Sequence, residues 1–147
     1  MTSEQPPRRP SWMYRQSAAL PYRWREGSLE VLLVTSRKGK HWILPKGIVE
    51  FGLTSPESAA KEAEEEAGVV GEISSQPLGS YRHKKWGGTC HVEVFPLRVQ
   101  AELDDWLESG MRRRQWQSPP AAMLQVDNEG LRAVIARFAT TAPVPDE

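Results

Sequence analysis

Residues 47–69 read GIVEFGLTSPESAAKEAEEEAGV, and this stretch decides the fold. Thr54 or Ser55 is placed to cap a helix, Pro56 suits its first turn, and Glu57 can complete a capping box with Thr54. At 3.6 residues per turn the helix sets Glu62, Glu65 and Glu66 on one face, while Glu64 points to the other side. Ala59, Ala60, Ala63 and Ala67 leave a smooth inner face that can lie close against a sheet and hold the carboxylates rigidly. Gly68 ends the helix, since a left-handed residue after the last turn is most easily glycine. Carboxylates repel at this spacing, and acids near a helix C-terminus are disfavoured by roughly 0.3–1 kcal/mol each. A divalent cation removes the conflict. A solvated acidic face is the plainer alternative, and the helix taken alone leaves both open.

Working outward, residues 16–24 read as a strand, Glu26-Gly27-Ser28 as a turn, and LEVLLVTS (residues 29–36) as a second strand. A short apolar run at residues 41–44 leads into Pro45-Lys46-Gly47. Beyond the acidic helix, residues 73–83 and 89–100 read as strands joined by the basic turn KKWGG, with Pro96 expected at an edge or a bulge. RRRQWQ (residues 112–117) reads as another strand, and LRAVIARFA (residues 131–139) has the period of a helix packed on one side. Strands alternating with two helices imply an α/β (α+β) chain whose sheet is covered on both faces.

The chain has 147 residues, enough for one domain with a proper core. Residues 1–11 read as a disordered arm, 12–139 as the single domain and 140–147 as a flexible tail. The formal net charge is zero, which gives no global pull toward nucleic acid or an anionic membrane. Anion recognition is therefore local, and three basic clusters supply it: Arg37, Lys38, Lys40 and His41; Arg82, His83, Lys84 and Lys85; and Arg112 to Arg114. One cysteine, Cys90, cannot staple the fold, no CxxC or HxxxH pattern suggests zinc, and no apolar run is long enough to span a bilayer. The N-terminal stretch is polar and proline-rich rather than a signal peptide, so the cytoplasm is the expected compartment.

The opening stretch resembles a Nudix box, whose pattern is Gly, five residues, Glu, seven residues, Arg-Glu, an aliphatic residue, any residue, Glu-Glu, any residue, Gly and an aliphatic residue. Gly47 opens it, Glu62, Glu65 and Glu66 fill its metal-binding positions, and Gly68-Val69 closes it. Two positions depart: Leu53 stands where the box has glutamate and Lys61 where it has arginine, a coupled replacement of a pair that ties loop to helix in the family. SAALPYR, EVLLVTSR, WILPKG, the basic hairpin, LDDW and RRRQW resemble the branch containing diphosphoinositol polyphosphate and diadenosine polyphosphate hydrolases. That branch commonly opens its box with a glycine triplet, where this chain has Pro45-Lys46-Gly47.

The resemblance implies a Nudix-type α/β/α sandwich with a mixed sheet, and a pyrophosphohydrolase using Mg2+, or Mn2+, on a polyphosphorylated small molecule. It implies Glu62, Glu65 and Glu66 as catalytic metal ligands with the Gly47 carbonyl beside them, and hard oxygen donors suit Mg2+. Ser36, Arg37, Lys38, Lys40, Lys46, Arg82, His83, Lys84, Lys85 and Arg112 are the expected substrate contacts. The general base is either a glutamate of the cluster or an acid from a later loop, among Glu102, Asp104, Asp105 and Glu108. Trp42 and Trp86 border basic clusters and either stack on an adenine or pack in the core; Trp106 and Trp116 are assigned to packing, and His91 to an ordinary strand position. Two other readings share the fold: a 5′-end RNA pyrophosphohydrolase, which calls for a longer basic track, and a nucleotide sensor with little turnover.

Overall fold

The computed structural model describes residues 9–145. A 3-10 turn at Ser11–Tyr14 enters β1 (Arg15–Arg25), β2 (Ser28–Thr35), β3 (Trp42–Ile43) and β4 (Lys46–Ile48). Next come α1 (Ser55–Glu62), a π-helical turn (Ala63–Ala67), β5 (Val69–Ile73), β6 (Gly79–Lys85) and β7 (Gly88–Glu102). β8 (Arg114–Gln117), α2 (Pro119–Gln125) and α3 (Glu129–Thr141) complete the order. Most of the arm expected at the N-terminus lies outside the described residues, Ser11 already belongs to the first turn, and α3 runs through Thr141.

All eight strands form one mixed sheet with β1 at its centre. β1 runs parallel to β7 and antiparallel to β2 and β4, while β5 and β6 pair in turn with β7. Val34 of β2 pairs with both Ile43 and Arg114, which puts β3 and β8 on opposite sides of that strand. The period of two along β1 separates two cores. Ala18, Leu20 and Tyr22 pack with Leu131, Ile135 and Phe138 of α3, whereas Ala19 packs with Ala59, Ala63 and Ala67 of the acidic helix. The three alanines are fully buried, so the helix lies close on the sheet and its carboxylates are fixed by a packed layer.

Three expectations need correcting. The strand expected at residues 73–83 is two strands, β5 and β6, separated by a loop in which Ser74 donates to Gln76 O and the Leu78 N–H returns to Val94. Pro96 sits inside the sheet, opposite Leu20, rather than at an edge. Its carbonyl accepts from the Ser74 N–H, so its nitrogen faces the gap between β5 and β6. The missing donor therefore costs no ladder bond. A third helix, α2, begins at two prolines capped by Ser118, whose hydroxyl accepts from the Ala121 N–H.

Candidate active site

Thr54 is the cap of α1: its hydroxyl accepts from the Glu57 N–H and the Glu57 carboxylate accepts from the Thr54 N–H, closing the capping box. The end of the helix departs from an α-helix. Residues 63–67 widen into a π turn, and the Gly68 N–H returns to Ala63 and Glu64 before Gly68 turns left-handed at φ +65°. A wider turn keeps positions i and i+4 together and carries i+3 away. Glu62 accordingly hydrogen-bonds Glu66, while Glu65 leans toward Lys61 at 3.8 Å. The three glutamates expected on one face do share a side of the helix, with Glu62 and Glu66 close together and Glu65 turned toward Lys61; among the described residues no group of three His, Cys, Asp or Glu is close enough to hold an ion.

Glu66 is buried and Glu62 is half-buried beside it. Glu66 is only 5% exposed; its Oε1 accepts the Lys46 N–H at 3.2 Å and lies 3.8 Å from Arg112 Nη2. Burial, then the hydrogen bond and charge of Glu66, pushes the Glu62 carboxyl up to about 9. Burial also raises Glu66, against the pull of Glu62, Arg112 and the Lys46 N–H. β4 brings the backbone of Gly47 against the same group, and a Cβ there would displace the Glu62 carboxylate. The donors are hard oxygens and the surplus charge is negative, which fits a divalent oxygen-seeking ion such as Mg2+.

The C-terminal end of the helix is strapped by residues 103–114. Trp106 Nε1 donates to Glu66 O at 3.0 Å, the Glu108 N–H to Glu65 O at 3.0 Å and the Leu103 N–H to Gly68 O at 2.7 Å. Arg114 donates from Nη1 to the carbonyls of Ala67 and Gly68, both at 3.1 Å, and stacks on Trp106 at 4.2 Å. These contacts satisfy the orphan carbonyls and put a cation at the negative pole of the helix. Part of the conflict read from the sequence is therefore relieved by the protein itself.

A cleft of about 760 Å³ opens over the carboxylates, and Gly47, Glu62, Glu65 and Glu66 all line it. Of the expected substrate contacts, Ser36, Arg37, Lys46, His83, Lys85 and Arg112 line it too; Lys38, Lys40, Arg82 and Lys84 do not. In β6 the reason is the period of two: Tyr81, His83 and Lys85 face the cleft and Arg82 and Lys84 face away. Lys38 and Lys40 lie exposed on the turn closed by the Gly39 N–H to Ser36 O bond. Arg112 is buried and committed, donating to Glu108 at 2.9 Å and to Thr35 O at 3.0 Å, so it positions Glu108 instead of reaching outward.

Among the later acids only Glu108 lines the cleft, 7% exposed and 3.7 Å from Arg37. Glu102 is held by Trp116 and Arg23, and Asp105 accepts from Ser109. Trp42 and Trp86 both border the cleft. Trp86 stands at φ +53° in the tight hairpin joining β6 to β7, where its carbonyl accepts from Tyr14 and Lys85 lies over its ring. Trp106 and Trp116 serve as packing and hydrogen-bond donors, and His91 is an exposed strand residue. Gln16 and Asn128 line the cleft without any signal in the sequence, as does Asp127, which meets His41 at 2.7 Å. Tyr81 was legible through its spacing from His83.

A cleft built on a glycine-opened, carboxylate-ended helix agrees with what comparison with known proteins shows. The NUDIX domain family matches residues 13–138. Nudix hydrolase 21, chloroplastic, of Arabidopsis thaliana is 36% identical over 132 residues, covering 85% of this chain and 66% of that protein. Diphosphoinositol polyphosphate phosphohydrolase 2 of Rattus norvegicus is 33% identical over 104 residues, covering 69% of this chain and 56% of that protein. The alignments thus span less than two thirds of either relative. In fold, the chain is similar to the crystal structure of a C. elegans Ap4A hydrolase, with a TM-score of 0.72 at 21% identity over 88% of this chain and 98% of that one. With its domain matched almost from end to end, the chain belongs to the Nudix hydrolase family.

Proposed function

We propose that this chain hydrolyses a pyrophosphate link in a polyphosphorylated small molecule of the diadenosine polyphosphate or diphosphoinositol polyphosphate type. The observation that carries the reading is the convergence of Glu62, Glu65, Glu66 and Gly47 on one cleft, where Arg37, Lys46 and Lys85 stand within reach of the same volume. Glu62, Glu65, Glu66 and the Gly47 carbonyl would hold Mg2+, or Mn2+, which supplies charge neutralisation on phosphate oxygens and acidifies water when bound. Arg37, Lys46 and Lys85 bind and orient the phosphate chain, and Ser36 and His83 border it. Glu108, held by Arg112 at the cleft wall, accepts a proton from the attacking water; of the acids in the later loop it alone faces the cleft. The water adds to phosphorus, the bridging P–O bond breaks, and two phosphate products leave.

The formal net charge of zero and the carboxylates around the cleft favour a small-molecule ligand over an RNA 5′ end, and no helix of the described residues is long and apolar enough to cross a membrane. The cytoplasm remains the expected compartment, on the single buried thiol Cys90; imaging the tagged chain tests it. The activity is tested by product release from diadenosine tetraphosphate, diphosphoinositol polyphosphate, nucleoside diphosphate sugars and 5′-triphosphorylated RNA, with Mg2+ or with EDTA. Cleavage of either of the first two, abolished by EDTA, is expected. Turnover confined to RNA or nucleotide sugars discards the branch, and no turnover leaves a polyphosphate sensor.

A further inference from the structure

Four buried side-chain atoms have no hydrogen-bond partner among the described residues: Gln16 Oε1, Ser17 Oγ, Tyr81 Oη and His83 Nε2. Three of the four belong to residues that line the cleft. Gln16 is 2% exposed and Tyr81 6%, so neither group is satisfied by bulk water in passing. They come from different strands: Gln16 from the start of β1, on the face it shares with Ala18 and Leu20, and Tyr81 and His83 from one face of β6. An unmet buried donor or acceptor costs roughly 1–3 kcal/mol, and a site built this way rejects a ligand that lacks the matching group.

The chemistry of the missing partner follows from the atoms. A phosphate oxygen accepts but does not donate at neutral pH, and it suits the ammonium groups of Lys46 and Lys85, whereas the Tyr81 hydroxyl can donate to a ring hydroxyl. Gln16 Oε1 is an acceptor and needs a donor, which a phosphate chain alone cannot give and a sugar or polyol hydroxyl can.

We propose that Gln16, Tyr81 and His83 form a specificity subsite that reads a free hydroxyl on the phosphate-bearing ring of the substrate, a ribose or an incompletely phosphorylated inositol. This rests on the reading of the cleft as a polyphosphate site, and it narrows that reading to ligands with an unphosphorylated hydroxyl near the phosphate chain.

The test is calorimetric binding with Mg2+ present, using probes without a hydrolysable link or without a link at all. Adenosine α,β-methylene diphosphate is compared with its 2′,3′-dideoxy counterpart, inositol tetrakisphosphate with inositol hexakisphosphate, and methylenebisphosphonate reports phosphate binding alone. The wild type is expected to prefer the hydroxyl-bearing member of one pair about tenfold or more. A preference in the first pair assigns ribose, and in the second, inositol. Tyr81→Phe and Gln16→Met should erase that preference while binding methylenebisphosphonate as the wild type does, and their ligand-free Tm should equal or exceed that of the wild type. Equal affinity within both pairs overturns the subsite while bisphosphonate binding keeps the polyphosphate reading. No binding of any probe removes both. A Tm lowered in both variants would mean that the two side chains hold the fold, which also overturns the proposal.

Discussion

Lys61 Nζ lies 2.9 Å from both carboxylate oxygens of Glu50, and the same ammonium is 3.8 Å from Glu65. Glu50 reaches it because the Glu50–Leu53 turn, closed by the Leu53 N–H to Glu50 O, folds the loop back onto α1, and because Ser58 Oγ accepts the Glu50 N–H. The pair that ties loop to helix in the family is therefore present in this chain, with its acid moved three residues upstream of Leu53. We predict that Glu50→Gln and Lys61→Gln each lower kcat with Mg2+ by a similar factor, and that the double variant is no worse than either. Additive losses in the double-mutant cycle would show that the two side chains act separately.

The clamp on the end of the acidic helix predicts a stability effect. Arg114→Met keeps the stem over Trp106 but removes both hydrogen bonds to the Ala67 and Gly68 carbonyls. The expected loss is about 2 kcal/mol, equivalent to about 4–8 °C in Tm for a chain of this size. A calorimetric scan that leaves Tm unchanged contradicts the clamp.

Alternation along β6 predicts a split between adjacent lysines. Lys85→Ala should raise KM about tenfold for a polyphosphate substrate, the size of one lost charge-assisted contact. Lys84→Ala, on the opposite face, should leave KM within a factor of about two. Equal effects would mean that the strand's register does not set which lysine meets phosphate.

His83 gives a prediction in pH. Burial, then the charges of Lys46 and Lys85, holds its imidazole down to about 4, below the ordinary value of 6.5. The folded state binds the proton less readily than the unfolded chain. Its contribution to stability is complete above about pH 6.5 and is lost as pH falls from there toward 4. The His83 ring resonances should stay flat from about pH 8 to 5 in an NMR titration. A midpoint near 6.5 would contradict the buried, neutral ring.

Much of this was written in local sequence. Thr54-Ser55-Pro56-Glu57 and Gly68 set both ends of the acidic helix because capping and left-handed backbone are decided within a few residues. The inner alanines and the strands at residues 16–24 and 29–36 were legible from period alone. The π turn was not, and it turns Glu65 toward Lys61 while Glu62 and Glu66 stay together. Lys38, Lys40, Arg82 and Lys84 misled because a basic cluster in sequence spreads over two faces of a strand or the outside of a turn. Glu50 and Gln16 could not be found at all: Glu50 acts through Lys61, and Gln16 meets the residues of β6 only across the folded cleft.

The central claim is that the glutamates of the acidic helix perform metal-dependent hydrolysis, and Glu65→Gln tests it most directly. The Glu65 side chain contacts Lys61 and lines the cleft while its backbone carbonyl keeps the bond from Glu108, so the fold does not depend on its charge. Initial rates on diadenosine tetraphosphate and diphosphoinositol polyphosphate with saturating Mg2+, at unchanged Tm, should fall by at least about a hundredfold. A rate equal to that of the wild type would contradict the account.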